Sequence, residues 1–419
     1  MKILKSKILL LAFLLMSANL FAQEEDGAGS AYSIFGIGDL NNYSSTRTYS
    51  MGILGNALFG NYVNNLNPAT MTKLNSTLLS INGNYGFLKS TNGIEQNKVS
   101  NGNVLGVNIG IPFDQGRGWV FSLGFNPMTA VNYKIRVNGI TGGGQNYVQT
   151  YSGKGGLSRI NAGMSYNLFS KVSIGVEYNY AFGEIRNQNL INFNNQGYTN
   201  TNIKRQVDFQ NSFIKAGAVV EVGKLFKSIS LKDLSIGFVY QSAFKLSGTE
   251  NGIYLSSVNI DTTQTNQGKI DIPELYGFGI SNLFARKYLV SADVVMQDWT
   301  KYSEFGQTPS NFDKSMRAGI GVEILPSPDK TSFWQTTTYR FGGFYDKLFY
   351  KINGEQINAY GVRAGINVPI SRYNSMDLGF NYSIKGKTDN GLIKDEFFNI
   401  TFGVNFGELW FLRPRDEDR

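Results

Sequence analysis

The ionisable side chains of this 419-residue chain exclude most familiar catalytic chemistry. It contains 39 Lys and Arg and 31 Asp and Glu residues, but no histidine and no cysteine. Without these two residue types there is no imidazole base, no Ser-His or Cys-His nucleophile pair and no thiolate or imidazole zinc site. An Asp/Glu dyad is the remaining option, and no spacing of carboxylates indicates one. We therefore expect no enzyme activity, no cofactor, no catalytic residue and no metal-binding residue.

Charged residues recur inside segments in which every second residue is apolar. In 171-KVSIGVEYNYAF-182 the apolar side chains share one face, and Glu177 lies on the other face among Ser, Gly and Asn. Charged residues occupy such positions at Glu177, Lys215, Glu221, Asp293, Arg317, Glu323, Arg363 and Asp377. Internal charges are costly unless they are paired or hydrated. One interpretation is that these charges form ion pairs that hold an internal segment. The alternative is that Arg317 or Arg363 binds the carboxylate head group of a ligand bidentately.

The elements that must position these charges are alternating segments typical of β-strands. We count about fourteen of them, mostly ~10 to 17 residues long, which suits tilted strands crossing an apolar band of ~25 Å better than soluble strands of ~5 to 6 residues. Long polar connectors, such as 139–156, 187–202 and 248–268, are expected to alternate with short ones. This asymmetry is typical of transmembrane barrels. The connector 326–335, PSPDKTSFWQ, is too long for the expected tight turn.

The two ends of the chain indicate export. Residues 1–22 have three lysines before a short apolar run and small residues, which is the pattern of a signal peptide. Its removal lowers the formal charge from +8 to +5. Residues 23–75 show no sustained periodicity of apolar residues and are predicted to form a hatch. The barrel that encloses the hatch is predicted at 76–408, and a periplasmic tail at 409–419.

Scattered basic residues and the absence of a binding motif argue against nucleic acid as a partner.

Two Asn-Pro pairs interrupt these patterns. Asn67, Pro68 and Ala69 precede the first alternating segment, and this position favours a corner between hatch and wall over a generic turn. Asn126 and Pro127 interrupt the third segment, 119-WVFSLGFNPMTAVNYKIRV-137. Because proline cannot donate to a β-ladder, either a plain bulge or a gap in strand pairing is expected there.

Several short motifs resemble those of the FadL family of outer-membrane barrels. They are NPAT at the end of the predicted hatch, VNY in the third strand, ADVVMQDWTKY in the ninth and RAGIGVEI in the tenth. The resemblance implies an all-β transmembrane antiparallel barrel of about fourteen strands with an N-terminal hatch in its lumen. It also implies that Asn126 and Pro127 mark a lateral opening, through which a hydrophobic ligand leaves the lumen for the membrane.

The resemblance predicts passive uptake of fatty-acid-like hydrophobic molecules across the outer membrane of a diderm bacterium. The expected partners are membrane lipid, a hydrophobic small molecule and another outer-membrane protein. The alternative is a non-transporting barrel subunit of a larger machine of the secretion or barrel-assembly type, since the FadL-like barrel PorV serves type IX secretion in that way. The apolar loop residues Ile253, Tyr254 and Leu255 are candidates for ligand capture, for partner docking or for packing on neighbouring loops.

Overall fold

A computed structural model of the protein describes most of the predicted mature chain. The described residues are 29–193, 198–227, 231–256, 260–327 and 332–411. The predicted signal peptide 1–22, hatch residues 23–28 and tail residues 412–419 lie outside them, as does the side chain of Leu255.

Fourteen antiparallel strands form one closed barrel, in which the last strand pairs with the first. The strands are β1 Thr77–Thr91, β2 Gln96–Asp114, β3 Trp119–Pro127 with Thr129–Ile140, β4 Asn146–Leu168, β5 Val172–Phe193, β6 Thr201–Glu221, β7 Ser235–Gln241 with Phe244–Ser256, β8 Ile260–Ile272 with Leu275–Phe284, β9 Tyr288–Asp298, β10 Lys314–Ile324, β11 Thr338–Ile352, β12 Glu355–Pro369, β13 Ser375–Lys385 and β14 Lys394–Glu408. The predicted all-β transmembrane barrel is confirmed. We call the end that contains Thr77 the lower end and the opposite end the upper end.

The remaining elements are short. The helices are Ala31–Ile34, Thr46–Ser50, Pro68–Lys73, Val222–Leu225, Trp299–Lys301, Phe333–Thr336 and Asp389–Gly391, and two-residue strands lie at Asp39–Leu40 and Ser303–Glu304. None of the helices in the described ranges is long and apolar enough to cross a membrane.

The alternation of side chains along each strand separates the two faces of the wall. On β5 the outward residues Ile174, Val176 and Tyr178 are exposed, whereas the inward residues Ser173 and Glu177 are completely buried. An apolar outer face and a polar inner face are the transmembrane arrangement. Outward aromatic side chains line up on neighbouring strands towards the upper end at Tyr345, Tyr360, Tyr382, Phe398 and Phe87. Such a row marks the level of a membrane interface.

The prediction of long loops at one end of the barrel is wrong for three segments. The described parts of 139–156, 187–202 and 248–268 consist mainly of paired strand, so that β3 to β8 continue as tall hairpins at the upper end. Cross-strand hydrogen bonds satisfy the peptide groups of these segments, which explains why they form ladder instead of loops. The connector 326–335 does contain structure of its own, the helix Phe333–Thr336.

Candidate functional site

The motif Asn67-Pro68-Ala69 lies buried inside the barrel. Pro68 is the first residue of the short helix Pro68–Lys73, a position at which its missing N–H costs nothing. The side-chain oxygen of Asn67 accepts a hydrogen bond from the N–H of Ala69 at 3.0 Å, and its amide donates to the carbonyl of Asn56 at 2.5 Å. The predicted corner is therefore a capped helix start that is also tied to an earlier part of the chain.

Inward-facing glycines let residues 29–76, which we call the N-terminal segment, rest directly on the wall. A Cβ atom at Gly217 would lie 2.0 Å from the side-chain oxygen of Asn67, and one at Gly342 would lie 1.9 Å from the carbonyl oxygen of Met51. A Cβ atom added at Gly175, Gly237, Gly319 or Gly321 would likewise lie less than 3.0 Å from an atom of the N-terminal segment. These glycines lie on strands around the barrel, and any side chain there would push the segment away.

A buried cluster of charges ties the N-terminal segment to the wall. Glu323 on β10 accepts two hydrogen bonds from the guanidinium of Arg47, at 2.7 and 2.9 Å. The same carboxylate accepts from Arg340 on β11 at 2.9 Å, and Arg340 also pairs with Asp377 on β13. The bidentate geometry makes the contact with Arg47 strong and specific.

Asp293 on β9 binds backbone rather than a cation. One of its carboxylate oxygens lies 2.9, 2.6 and 3.3 Å from the N–H groups of Leu54, Gly55 and Asn56. Successive N–H groups that converge in this way form an anion-binding nest. The charge predicted at Asp293 thus holds a second point of the N-terminal segment.

Two further predicted charges form a buried pair on β5 and β6. Lys215 and Glu177 lie 3.6 Å apart, with side chains 1% and 0% exposed. The ammonium of Lys215 donates to the carbonyl of Asn65 at 2.8 Å, and Glu177 accepts from Asn161 at 3.1 Å. The pair therefore connects the wall with the N-terminal segment just before the Asn-Pro motif.

Glu221 and Arg317, two of the remaining three predicted charges, have different partners. Glu221 pairs with Lys73 of the N-terminal segment at 2.7 Å and with Lys224. Arg317 on β10 pairs with Asp346 on β11 at 3.1 Å. With these pairs, all eight predicted charges have a hydrogen-bonding or ionic partner, and Lys215, Glu221, Asp293, Glu323 and Arg363 bind the N-terminal segment directly.

Arg363 lies in an aromatic environment. Its guanidinium carbon is 3.9 Å from the centre of the Tyr49 ring and 4.2 Å from that of Phe344. It donates to the side chain of Asn381 at 2.9 Å and to the carbonyl of Tyr49 at 3.2 Å. None of these partners is an anion, whereas Arg317 is paired with Asp346, so Arg363 is the better candidate of the two arginines for binding a carboxylate.

The upper half of the lumen is filled by a large cluster of apolar side chains. Among its fully buried members are Trp299 and Tyr302, which follow β9, and the Trp299 ring stacks on Phe349 at 4.2 Å. From the N-terminal segment, Tyr32 packs against Tyr350, and burial raises the pKa of Tyr32 to about 12. The wall contributes Val131, Leu157, Ile185, Val207, Phe209, Leu246, Ile270 and Ile357. This upper cluster packs inside the lumen and includes Tyr32 and Ile37 of the N-terminal segment.

Asn126 and Pro127 lie at the base of a break in the wall. Asn126 exchanges side-chain hydrogen bonds with Asn108 on β2, at 3.1 and 2.9 Å, and donates to Asn161 on β4. Above Pro127, the upper part of β3, Thr129–Ile140, pairs with β4. The pairing of β3 with β2 ends lower down, at Phe125 and Val107. The gap in backbone pairing therefore begins at Asn126, whose side chain still connects β3 to β2 and β4.

A cavity of about 510 Å³ extends from this break into the lumen. Its lining includes Pro127 and Leu105 beside the break and Arg317 and Arg363 on the opposite wall. No group of acidic, histidine or cysteine side chains in the described part of the chain could hold a metal ion. The cavity thus connects the break with a group of buried charges, in which Arg317 is paired with Asp346.

Several residues at these contacts escaped the sequence reasoning. Arg47 lies in a segment without a periodic pattern of apolar residues, so no strand position could be predicted for it. The inward-facing glycines indicated only that small residues line the lumen, and their contacts with the N-terminal segment were not predicted. Arg340 carried a usable signal, since it lies opposite Glu323 once β10 and β11 are placed in register. The length of connector 326–335 concealed that register.

The barrel resembles solved transport proteins in fold. A FadL homologue of Pseudomonas aeruginosa aligns with a TM-score of 0.62 and 12% identity, covering 88% of this chain and 99% of that one. The toluene transporter TbuX of Ralstonia pickettii aligns with a TM-score of 0.59 and 15% identity, covering 88% of this chain and 99% of that one. The toluene transporter TodX of Pseudomonas putida aligns with a TM-score of 0.55 and 14% identity, covering 89% of this chain and 100% of that one. No curated protein matches the chain.

The closed wall, its internal segment and these likenesses define the class of protein: a transmembrane β-barrel with a FadL-like fold. The family is narrower than that class. The BamG family model matches residues 4–416, so the chain belongs to the BamG family. The sequence resemblance to FadL proteins thus holds for the fold, while the matching family is BamG.

Proposed function

We propose that this chain is a non-transporting barrel subunit of a larger outer-membrane machine of the barrel-assembly type. The observation that carries the proposal is the occupied lumen. The N-terminal segment packs on wall glycines in the lower half, and the upper cluster fills the other half. A molecule moving lengthwise would have to break several buried ion pairs and separate a packed apolar core, each of which costs several kcal/mol.

The family relation supports the same proposal. The sequence match that spans residues 4–416 is to BamG, whereas the solved hydrocarbon transporters match in fold with no more than 15% identity. Sites are more informative than folds about function, because one fold serves many functions. Here the contacts described inside the lumen hold parts of the chain to one another.

The proposal is tested by extracting the tagged full-length chain from its native membranes in a mild detergent. On a native gel we expect it to migrate with a stoichiometric polypeptide, well above the 46.5 kDa of one chain. An unrelated outer-membrane barrel extracted in the same detergent serves as control. Migration of the chain alone, together with loss of hydrophobic-compound uptake in a deletion strain, would contradict the proposal.

A second candidate function is a channel for hydrophobic compounds with lateral exit at Pro127. The cavity that joins Arg363 to the break favours it, as do the transport proteins among the fold relatives. An amphiphile would place its carboxylate at Arg363 and its chain at the break.

This second candidate predicts acyl chains that co-purify with the protein, and slower uptake when Pro127→Val restores a ladder donor. The control is Pro112→Val in β2, a proline of the paired wall outside the break. Unchanged uptake in Pro127→Val and an empty cavity would rule the channel out.

A further inference from the structure

The break leaves one edge of β2 open. Gln96–Gly106 pairs with β1 on one side, but β2 pairs with β3 only from Val107 onwards. In the ranges that the structure describes, no strand pairs with the other side of 96–106. Eleven residues therefore present a β-edge along the mouth of the cavity. β2 has a bulge at Leu105 near the lower end of this stretch, and Gln96–Val104 above it is regular strand paired with β1. A long regular edge of this kind is a template for pairing with another chain.

The position of this edge in the membrane makes its unpaired peptide groups energetically costly. Ser100 lies in register with Phe87, which belongs to the outward aromatic row at the upper interface. The part of the edge from Ser100 to Gly106 therefore lies on the membrane side of that row. Peptide groups that face lipid need hydrogen-bond partners, since each unsatisfied group costs several kcal/mol.

The opposite side of the break already takes an added strand. Asp39 and Leu40 of the N-terminal segment pair antiparallel with Ala130 and Thr129 of β3. The next residue, Asn41, donates its N–H to the carbonyl of Met128 at 2.7 Å. This short addition covers the base of the β3 edge and leaves the β2 edge untouched, so the break is wide enough to admit backbone between the two strands.

We infer that the edge Gln96–Gly106 is the docking site of an extended polypeptide segment from a partner protein, which adds to the wall as a β-strand. The inference rests on the proposed function and names the kind of partner. Regularly spaced N–H and C=O groups are matched by another strand, whereas hydrocarbon offers no donor or acceptor. The small exposed residues Asn101, Gly102 and Asn103 favour recognition through backbone, and the exposed Lys98 favours an acidic residue near the upper end.

A peptide experiment tests the edge itself on the purified full-length chain in nanodiscs. The probe is a fluorescent Asp-(Thr-Val)4 peptide, compared with two versions that are N-methylated at alternate residues in opposite registers. Because a strand bonds β2 through only one of its edges, we expect one version to retain affinity within about threefold and the other to lose at least about tenfold. Equal binding of the two versions, or no binding of the unmodified peptide, would overturn the inference.

Site-specific blocking places the peptide on the molecule. Because the chain has no cysteine, Asn101→Cys can be modified alone with a bulky maleimide. The matched control is Lys204→Cys on β6, an exposed position whose strand is paired on both sides. We expect modification at position 101 to reduce peptide binding at least about tenfold and modification at 204 to leave it unchanged. The same loss, or no loss, at both positions would contradict the assignment.

Hydrogen exchange separates this inference from the proposed function. In the complex isolated from native membranes, the amides of 96–106 that point away from β1 should exchange at least about tenfold more slowly than in the isolated chain. A stable complex in which these amides are not protected would overturn the docking site and leave the subunit function standing. Absence of any complex would overturn the subunit function, whatever the peptide result.

Discussion

The lower and upper halves of the lumen are filled in different ways. Along β5 the inward residues Ser173 and Glu177 lie in the lower half, and Ala181 and Ile185 lie in the upper half of the same face. In the lower half, glycines and paired charges receive a backbone segment at defined points. In the upper half, aromatic and aliphatic side chains bury area against one another.

This difference teaches how each half holds its contents. Hydrogen bonds, ion pairs and glycine contacts are directional, so one added methyl group or one lost charge displaces the N-terminal segment. The upper cluster depends on buried area, which tolerates swaps of similar volume and suffers from truncation. The two halves should therefore respond to different substitutions.

The largest effect is expected for Trp299→Ala in the upper cluster. Trp299 is 1% exposed and stacks on Phe349, so its truncation should destabilise the barrel by about 3 to 5 kcal/mol. Trp334→Ala is the control, because Trp334 is 66% exposed and should change stability by less than about 0.5 kcal/mol. Urea unfolding in detergent measures both, and equal effects would contradict the assignment of the cluster.

Glu323→Gln should loosen the lower half. The substitution leaves the guanidinium of Arg47 without its anionic partner and should cost about 3 kcal/mol, because a buried charge loses its pair. Trypsin should then cut after Arg47 while the barrel stays folded. Glu274→Gln removes an exposed pair with Lys301 and should leave Arg47 protected. Protection of Arg47 in Glu323→Gln would show that this charge does not hold the segment.

Gly342→Ala tests the close approach of the N-terminal segment. The added Cβ would lie 1.9 Å from the carbonyl oxygen of Met51, so a shift of the backbone costing about 1 to 3 kcal/mol is expected. Gly343→Ala, next in the chain, would meet its nearest atom at 3.4 Å and should be nearly neutral. Thermal unfolding followed by gel mobility compares the two variants, and a neutral Gly342→Ala would contradict the contact.

The smallest effect is expected at Asp313, which precedes β10 at the upper end. Hydrogen bonds from Lys351, the Lys314 backbone and Lys347 hold the pKa of Asp313 below its usual range. Stability from this group is therefore complete above the unfolded pKa and is lost as the pH falls towards the folded one. Asp313→Asn should cost less than about 1 kcal/mol at neutral pH and nothing at strongly acidic pH, measured by melting temperature. A difference that grows in acid would contradict this sign.

The sequence predicted the wall better than its contents. Alternation along segments such as 171–182 is a local property, so the strands and the transmembrane barrel followed from it. The interruption at Asn126 and Pro127 was also local, because proline lacks the donor that a ladder needs. The hatch and tail boundaries at 23–75 and 409–419, and the roles of the site residues, stay predictions.

The packing inside the lumen was not predicted because it depends on contacts between residues that are distant in the chain. Arg47 meets Glu323 only after the barrel closes, and Met51 meets Gly342 in the same way. The tall hairpins were missed because their glycine- and asparagine-rich strands lack the alternation of apolar and polar residues that is the local signal of a strand.

Single-channel recording in planar bilayers tests the central claim, that both halves of the lumen are filled, most directly. The intact chain is predicted to show no steady conductance, because water-filled passage along the axis is blocked by the N-terminal segment below and by the upper cluster above. A stable, ohmic conductance in the intact protein would contradict the claim.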